Sequence, residues 1–172
     1  MAFQTTIQFR YTEGFVGEII ADGPVRARTW RLNSQIVLPN TVGFAYTFVS
    51  DATGPINSGN QGTGIVVVGN TGVFAGIAVM PKTLTLNGTA AGGSLAPSYN
   101  MLPDTKCELL DMGKIVVNLT TAANTYGLGV YYVTATGALG AGTAAAGQVQ
   151  IPNAKVISNT TQAGRAVIQL TQ

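Results

Sequence analysis

The chain has 172 residues and a mass of 17.7 kDa, which suits one domain, or one domain with an extended arm, and excludes two full domains. Hydrophobic residues make up 46% and charged residues 9%, against ~25% charged in ordinary soluble domains, and this apolar composition excludes intrinsic disorder. The net charge of +2 comes from so few ionisable groups that no basic stripe for nucleic acid forms, so no nucleic-acid partner is expected.

The first predicted element is a strand from Phe3 to Tyr11, in which apolar and polar residues alternate strictly. Phe3, Ile7, Phe9 and Tyr11 share one side with Thr5, which is the period of a half-buried strand. Gly14 and Gly17 follow and could let the strand leave the domain body. We expect an N-terminal arm that pairs with a partner chain. An ordinary first strand of the domain is the alternative.

The densest charge cluster comes next, where Arg26, Arg28 and Arg31 surround Trp30. In an alternating strand Arg26, Arg28 and Trp30 share one face. Arginine and tryptophan are enriched in protein interfaces, so the cluster favours contact with acidic groups of another protein, with Trp30 as the apolar anchor. The alternative is a solvated edge strand whose positive charges discourage aggregation.

Short β-branched or alternating runs continue to the end of the chain, separated by turns rich in Gly, Asn, Asp and Pro. These predicted strands are Val42 to Phe48, Ile65 to Val68, Val73 to Met80, Lys114 to Leu119, Gly129 to Thr134, Val149 to Ile157 and Arg165 to Leu170. Thr105 to Met112 is predicted to form at most one or two turns of helix, and Thr136 to Gly147 an uncharged loop.

These elements predict an all-β fold, an antiparallel β-sandwich or β-barrel with an extended N-terminal arm. We expect residues 1–35 to form the arm and basic segment, and residues 36–172 the core, within one domain.

Residue types that carry most catalysis and metal binding are missing or isolated. The sequence has no histidine, and without a base to activate it the single Cys107 is expected to be buried and inert. The glycine-rich loops lack the lysine and the following helix of a phosphate site. Asp22, Asp51 and Asp111 occupy turn contexts, so a small hydrolase with a carboxylate pair is only a weak alternative. We therefore expect no enzyme activity, no cofactor and no metal.

Membrane and secretion signals are also missing. The first ten residues do not combine a basic segment with an apolar one, and the longest apolar windows fall well short of the roughly 20 residues that a membrane-spanning helix needs. We expect a protein made in a reducing cytoplasm, without a membrane partner.

Several segments together carry a resemblance to a known family. They are Gly14 to Ile20, Asp22 to Pro24, Arg31 to Ser34, Gly72 to Thr83, Leu109 to Val117, Gly129 to Tyr132, Thr136 to Leu139 and Gly164 to Leu170. In these segments, which cover most of the chain except Asn57 to Thr63 and Ala90 to Asn100, the sequence resembles the structural cement proteins of tailed bacteriophages, the capsid decoration family.

The resemblance implies a non-enzymatic protein that binds the outer surface of an assembled phage head and stabilises contacts between capsomers. Its expected partners are the major capsid protein and further copies of itself, and its expected location is the capsid exterior of the virion, after synthesis in the host cytoplasm. Because the surface carries so few charges and icosahedral shells offer three-fold sites, a homotrimer is expected rather than a homodimer. The residues expected at the capsid or subunit interface are Phe3, Ile7, Phe9, Tyr11, Arg26, Arg28, Trp30 and Arg31.

One alternative from another class stays open, a carbohydrate-binding β-sandwich module of a virion or exported structure. It would need an exposed aromatic platform, for which Tyr126, Tyr131 and Tyr132 are the candidates. Tyr131 and Tyr132 are adjacent, so on a strand only one of them could join the platform.

Overall fold

A computed structural model of the chain describes residues 14–33, 40–49, 64–81, 100–101, 103–158 and 162–171. These residues contain twelve β-strands and no helix, so the all-β prediction is confirmed. The strands are β1 (Ile19–Ile20), β2 (Arg26–Leu32), β3 (Asn40–Thr41), β4 (Ala45–Phe48), β5 (Ile65–Val68), β6 (Phe74–Ala78), β7 (Asn100–Met101), β8 (Lys106–Leu119), β9 (Gly129–Val133), β10 (Leu139–Ala141), β11 (Gln148–Val156) and β12 (Gly164–Leu170). The predicted strand from Phe3 to Tyr11 lies outside the described residues.

The long strand β8 organises the fold because its two halves pair with different sets of strands. Its N-terminal half pairs with β2 and β6, and its C-terminal half with β12, β1 and β10. The order β8, β2, β5, β4, β6 returns to β8, and so does the order β8, β12, β11, β9, β10. We name these two closed sets the β2 ring and the β12 ring. Their pairings are antiparallel except β2 with β5 and β8 with β10.

Each ring has its own apolar core. Within the β2 ring, Leu32, Tyr46 and Val66 pack with Cys107 and Leu109 of β8. The larger core of the β12 ring contains Ile115, Val117, Leu119, Val130, Tyr132, Leu139, Ile151, Val156, Ile168 and Leu170. Residues of the β2 ring also join this larger core, among them Ala45, Ile77 and Leu110. The two rings are therefore packed against each other as well as joined through β8.

The first half of β8 corrects one prediction. The segment Thr105 to Met112, expected to form at most a short helix, belongs almost entirely to the strand Lys106–Leu119. Leu109 and Leu110 are both fully buried, Leu109 in the β2 ring and Leu110 against the β12 ring. Because a strand covered on both faces loses the alternation of apolar and polar residues, the sequence pattern concealed it.

The loop predicted from Thr136 to Gly147 is also partly wrong, since it contains β10. The turn before β10 brings Gly137 against the β2 ring, where its carbonyl accepts a hydrogen bond from the Ala45 N–H at 2.9 Å. The Ala45 carbonyl in turn accepts from the Gly69 N–H at 2.9 Å. The φ angles of Gly69 and Gly137 are +68° and +75°, so this close approach depends on glycine. Main-chain hydrogen bonds thus connect the rings away from β8.

In two further segments the structure adds detail to the predicted elements. The run from Val42 to Phe48 is interrupted by a turn at Gly43, with φ +77°, so that only Ala45–Phe48 forms a strand there. Residues 26–32, within the predicted basic segment, form β2, which is a strand of the β2 ring. The division into residues 1–35 and 36–172 stays a prediction.

Candidate interaction surfaces on β2 and beside β1

A β-bulge in β8 places a carboxylate beside the arginines of β2. The two strands pair regularly from Arg31 opposite Lys106 to Ala27 opposite Leu110, and then Arg26 pairs with Met112. Asp111 is therefore an extra residue in β8 without a partner of its own in β2. Bulges of this kind redirect side chains, which explains how Asp111, next to the buried Leu109 and Leu110, reaches the surface cluster.

Asp111 binds two arginines at once. The Arg26 Nε–H donates a hydrogen bond to Asp111 Oδ1 at 2.8 Å, and Arg28 Nε lies 3.4 Å from Asp111 Oδ2. Asp111 is only 7% exposed, and its hydrogen bond raises the pKa of Arg26. Since both arginines reach one carboxylate, they lie on the same side of β2, as the alternation predicts.

Arg31 has a separate carboxylate partner. Its Nη2 and Nε donate to Asp104 Oδ1 at 2.8 and 3.1 Å, and both side chains are exposed. Lys106 lies directly opposite Arg31 on β8, so Asp104 also offsets repulsion between like charges on neighbouring strands. Alternation puts Arg31 on the other side of β2 from Arg26 and Arg28, so the three arginines do not form one patch.

Trp30 contributes mainly to packing. Its ring meets Phe48 edge to face at a centroid distance of 4.9 Å, and it packs against the core of the β2 ring. A Cβ atom at Gly64 would lie 2.2 Å from Trp30 Cε3, so the indole occupies space that only a glycine leaves open. The indole is half-buried, and its buried Nε1 has no hydrogen-bond partner among the described residues.

An apolar groove of about 710 Å³ runs beside β1 and was not predicted. We name it the β1 groove. It is lined by Phe15, Ile19, Val25, Val79, Met80 and Pro81, with Gly17, Glu18 and Ala21. Its walls come from residues more than 60 positions apart in sequence, so no local pattern indicates it. The one visible signal is the apolar pair Phe15-Val16 between two glycines.

Two further charged side chains have structural partners. Lys114 Nζ donates to Asp22 at 2.6 Å, and Glu18 accepts from the Phe15 N–H at 2.8 Å. Among the residues that the structure describes, no cluster of acidic or cysteine side chains could hold a metal ion. Cys107 is 3% exposed, so its predicted burial is confirmed, and burial raises the pKa of its thiol to about 12.

The three candidate tyrosines, all among the described residues, do not form the aromatic platform that a carbohydrate-binding module needs. Tyr131 and Tyr132 are buried in the β12 ring, while Tyr126 is exposed in a turn.

The arm residues expected at an interface, Phe3 to Tyr11, lie outside the described residues. Within the described part of the chain, no helix could span a membrane.

Comparisons with known proteins give one family and one fold. Residues 3–171 match the family described as structural cement protein (E217 gp24/Pam3 gp6). Among solved structures, four chains match. One of them, from "The capsid of Myoviridae Phage XM1", is 17% identical with a TM-score of 0.65, and the alignment covers 100% of this chain and 99% of that chain. At this identity the likeness shows a shared fold. No match was found among curated proteins.

Proposed function

This chain belongs to the structural cement protein family of bacteriophages, and we propose that it binds the outer surface of an assembled phage head and stabilises the contacts between capsomers. The observation that carries the proposal is the family match, which extends over residues 3–171. The protein would be made in the host cytoplasm and added to the capsid exterior. The proposal involves no catalytic step.

The fold supports such a role because cementing requires a rigid body rather than a reactive site. Two closed rings, each with a packed core, hold the surface residues in fixed positions. A protein that binds only the assembled shell stabilises it by mass action, and the contact repeats at many equivalent sites on the shell. Modest affinity at each site is then sufficient to stabilise the whole head.

We assign Arg26 and Arg28, with Trp30 beside them on β2, to a contact with acidic groups of the major capsid protein or of a neighbouring copy. Arg31, on the other side of β2, would make a second contact of the same kind. Arg28 is the foremost of them, because its side chain is 53% exposed and its contact with Asp111 is long. An external carboxylate could bind the outward edge of this guanidinium while Asp111 holds its Nε, and the planar fork of arginine suits such pairing. The arm residues Phe3, Ile7, Phe9 and Tyr11 would add a strand-like contact, and the protein would act as a homotrimer.

The direct test uses phage heads assembled without this protein. Purified protein should bind these heads but not the unassembled major capsid protein, and bound heads should resist a higher temperature before they release DNA or break. Equal binding to unassembled subunits, or binding without any gain in head stability, would refute the cementing role.

The contribution of Arg28 is tested separately with the Arg28→Ala variant. It should bind heads more weakly, and the difference from the wild type should shrink as salt is raised, because salt screens exposed charge pairs. Lys155→Ala is the matched control, since it removes the same charge from an exposed position on β11. If the two variants bind alike at low salt, the surface around Arg28 is not the interface.

A further inference from the structure

The β1 groove exposes more apolar surface than the packing of one chain explains. Phe15 is 68% exposed, and Val25 and Met80 are also exposed large hydrophobic residues that line it. Contiguous apolar surface of this kind marks an interaction site rather than ordinary solvent-facing surface. In a chain with only 9% charged residues, such a groove would favour self-association unless a defined partner covers it.

One wall of the groove is an open strand edge. β1 pairs with β8 through Ile19 opposite Ile115 and Ile20 opposite Lys114, and the Glu18 carbonyl accepts from the Val116 N–H at 2.9 Å. In an antiparallel pair, successive residues direct their main-chain groups to opposite sides, so those of Ile19 point away from β8. No described strand pairs with that side of β1. The groove therefore offers main-chain hydrogen bonds beside an apolar surface.

We propose that the β1 groove binds residues 3–11 of a second copy of this chain as an added strand. A strand bound in this way forms main-chain hydrogen bonds with the edge and places alternate side chains on the apolar surface. The segment has the required pattern, with Phe3, Ile7, Phe9 and Tyr11 on one side and Gln and Arg residues on the other. This inference rests on the proposed self-association but not on binding to heads.

The position of Gly14 favours a second copy over the chain's own segment. The Gly14 carbonyl accepts from Arg165 Nη1 of β12 at 3.2 Å, and a Cβ on Gly14 would lie 3.4 Å from Val116 of β8. Both contacts lie on the β8 side of β1, opposite its open edge. The described chain therefore reaches the groove at Phe15 from the β8 side. Because only residues 12 and 13 separate Gly14 from residue 11, the chain's own segment would have to turn back across β1 to reach the open edge.

Self-pairing also explains why the groove and a matching segment occur in one sequence. Each copy would donate residues 3–11 to one neighbour and accept the same segment from another. Such a head-to-tail contact forms a ring when its rotation closes, and three copies related by 120° satisfy this condition. Self-pairing would thus give the proposed homotrimer a specific contact.

The first test compares two matched substitutions in the full chain, with mass measured by light scattering. Phe15 and Tyr126 are aromatic, lie in turns and are each 68% exposed, but only Phe15 lines the groove. Phe15→Glu should convert the oligomer to monomer with little change in melting temperature, and Tyr126→Glu should leave the mass unchanged. A monomeric wild type, or an unchanged mass for Phe15→Glu, would overturn the proposal.

A disulfide test identifies the occupant of the groove. Chains carrying Phe9→Cys and chains carrying Met80→Cys are produced together in one cell, with different tags, and mildly oxidised after purification. The native Cys107 does not compete, because it is 3% exposed. A cross-link between the two differently tagged chains is the expected result.

Two other outcomes overturn the proposal. Cross-linking that occurs only within a chain carrying both substitutions assigns the groove to its own segment. Cross-linking of the Met80→Cys chain that appears only on heads, and joins it to the major capsid protein, assigns the groove to the shell. Both tests of self-association use the protein without heads, so a failure of head binding would leave their results interpretable.

Discussion

Replacing Gly137 by alanine tests how much the contact between the two rings contributes to the stability of the fold. A matched substitution at a second glycine with a similar φ angle measures the cost of the backbone conformation alone. At φ +75° an alanine costs about 1 kcal/mol on backbone grounds alone. Its Cβ would also lie 2.6 Å from Val68 Cγ2, 2.7 Å from the Ala45 carbonyl oxygen and 2.9 Å from the Gly69 nitrogen. The Ala45 oxygen and the Gly69 nitrogen are hydrogen-bonded to each other within the β2 ring, and the Ala45 N–H donates to the Gly137 carbonyl between the rings. Relief of the overlap therefore strains or breaks both of these main-chain hydrogen bonds.

The expected loss in the free energy of unfolding follows from these contacts. Overpacking of a tight site costs roughly 1–3 kcal/mol, and each weakened main-chain hydrogen bond about 1 kcal/mol. Gly137→Ala should therefore lower the free energy of unfolding by about 3–5 kcal/mol. Gly147→Ala is the matched control, because its φ is +76° and a Cβ there would meet no atom within 4 Å. It should lower the free energy of unfolding by only about 1 kcal/mol.

Urea denaturation of both variants measures this difference directly. For a chain of this length, 1 kcal/mol corresponds to roughly 2–4 °C in melting temperature, so a thermal melt should also separate the variants clearly. If Gly137→Ala and Gly147→Ala lose equal stability, the contact between Gly137 and the β2 ring does not hold the rings together, and the reasoning fails.

Three further predictions concern the carboxylates of the arginine cluster and the buried thiol. In a urea titration, Asp111→Asn should lower the free energy of unfolding by about 1–2 kcal/mol, because two arginines lose a carboxylate that is largely buried. Asp104→Asn, at an exposed position, should lower it by under about 1 kcal/mol. The Cys107 thiol should react with a thiol reagent only as fast as the chain unfolds, and rapid reaction in native buffer would contradict its burial. Because burial raises the pKa of Cys107 from 9.0 to about 12, the unfolded chain releases the thiol proton first as pH rises. Stability should therefore decline between pH 9 and pH 12, and Cys107→Ala should reduce that slope.

Local pattern was sufficient for most strands but not for the one that organises the fold. The strand Ile65–Val68 has the predicted bounds. The strand Gly164–Leu170 begins one residue before the predicted strand, Arg165 to Leu170. Both are β-branched runs between turn residues, a signal that needs no knowledge of the rest of the chain. The first half of Lys106–Leu119 has apolar partners on both faces, and the residues that create this double burial are distant in sequence.

For the interaction surfaces, too, the sequence revealed local features but not contacts between distant residues. Sequence identified the arginines around Trp30 and the face that Arg26 and Arg28 share, because alternation along one strand is a local property. It did not identify their partner, because Asp111 reaches them through a bulge in a strand 85 positions away. The β1 groove depends likewise on the meeting of Phe15 with Met80, which only the folded chain brings together.

The sharing of β8 also has a consequence for folding. A strand that closes two rings cannot be withdrawn from one without opening the other, so neither core is an independent cooperative unit. Hydrogen exchange should find the amides of residues 107–119 among the slowest, released only in global unfolding. The chain should then unfold in a single transition in spite of its two cores, and a fragment containing one ring should not fold alone.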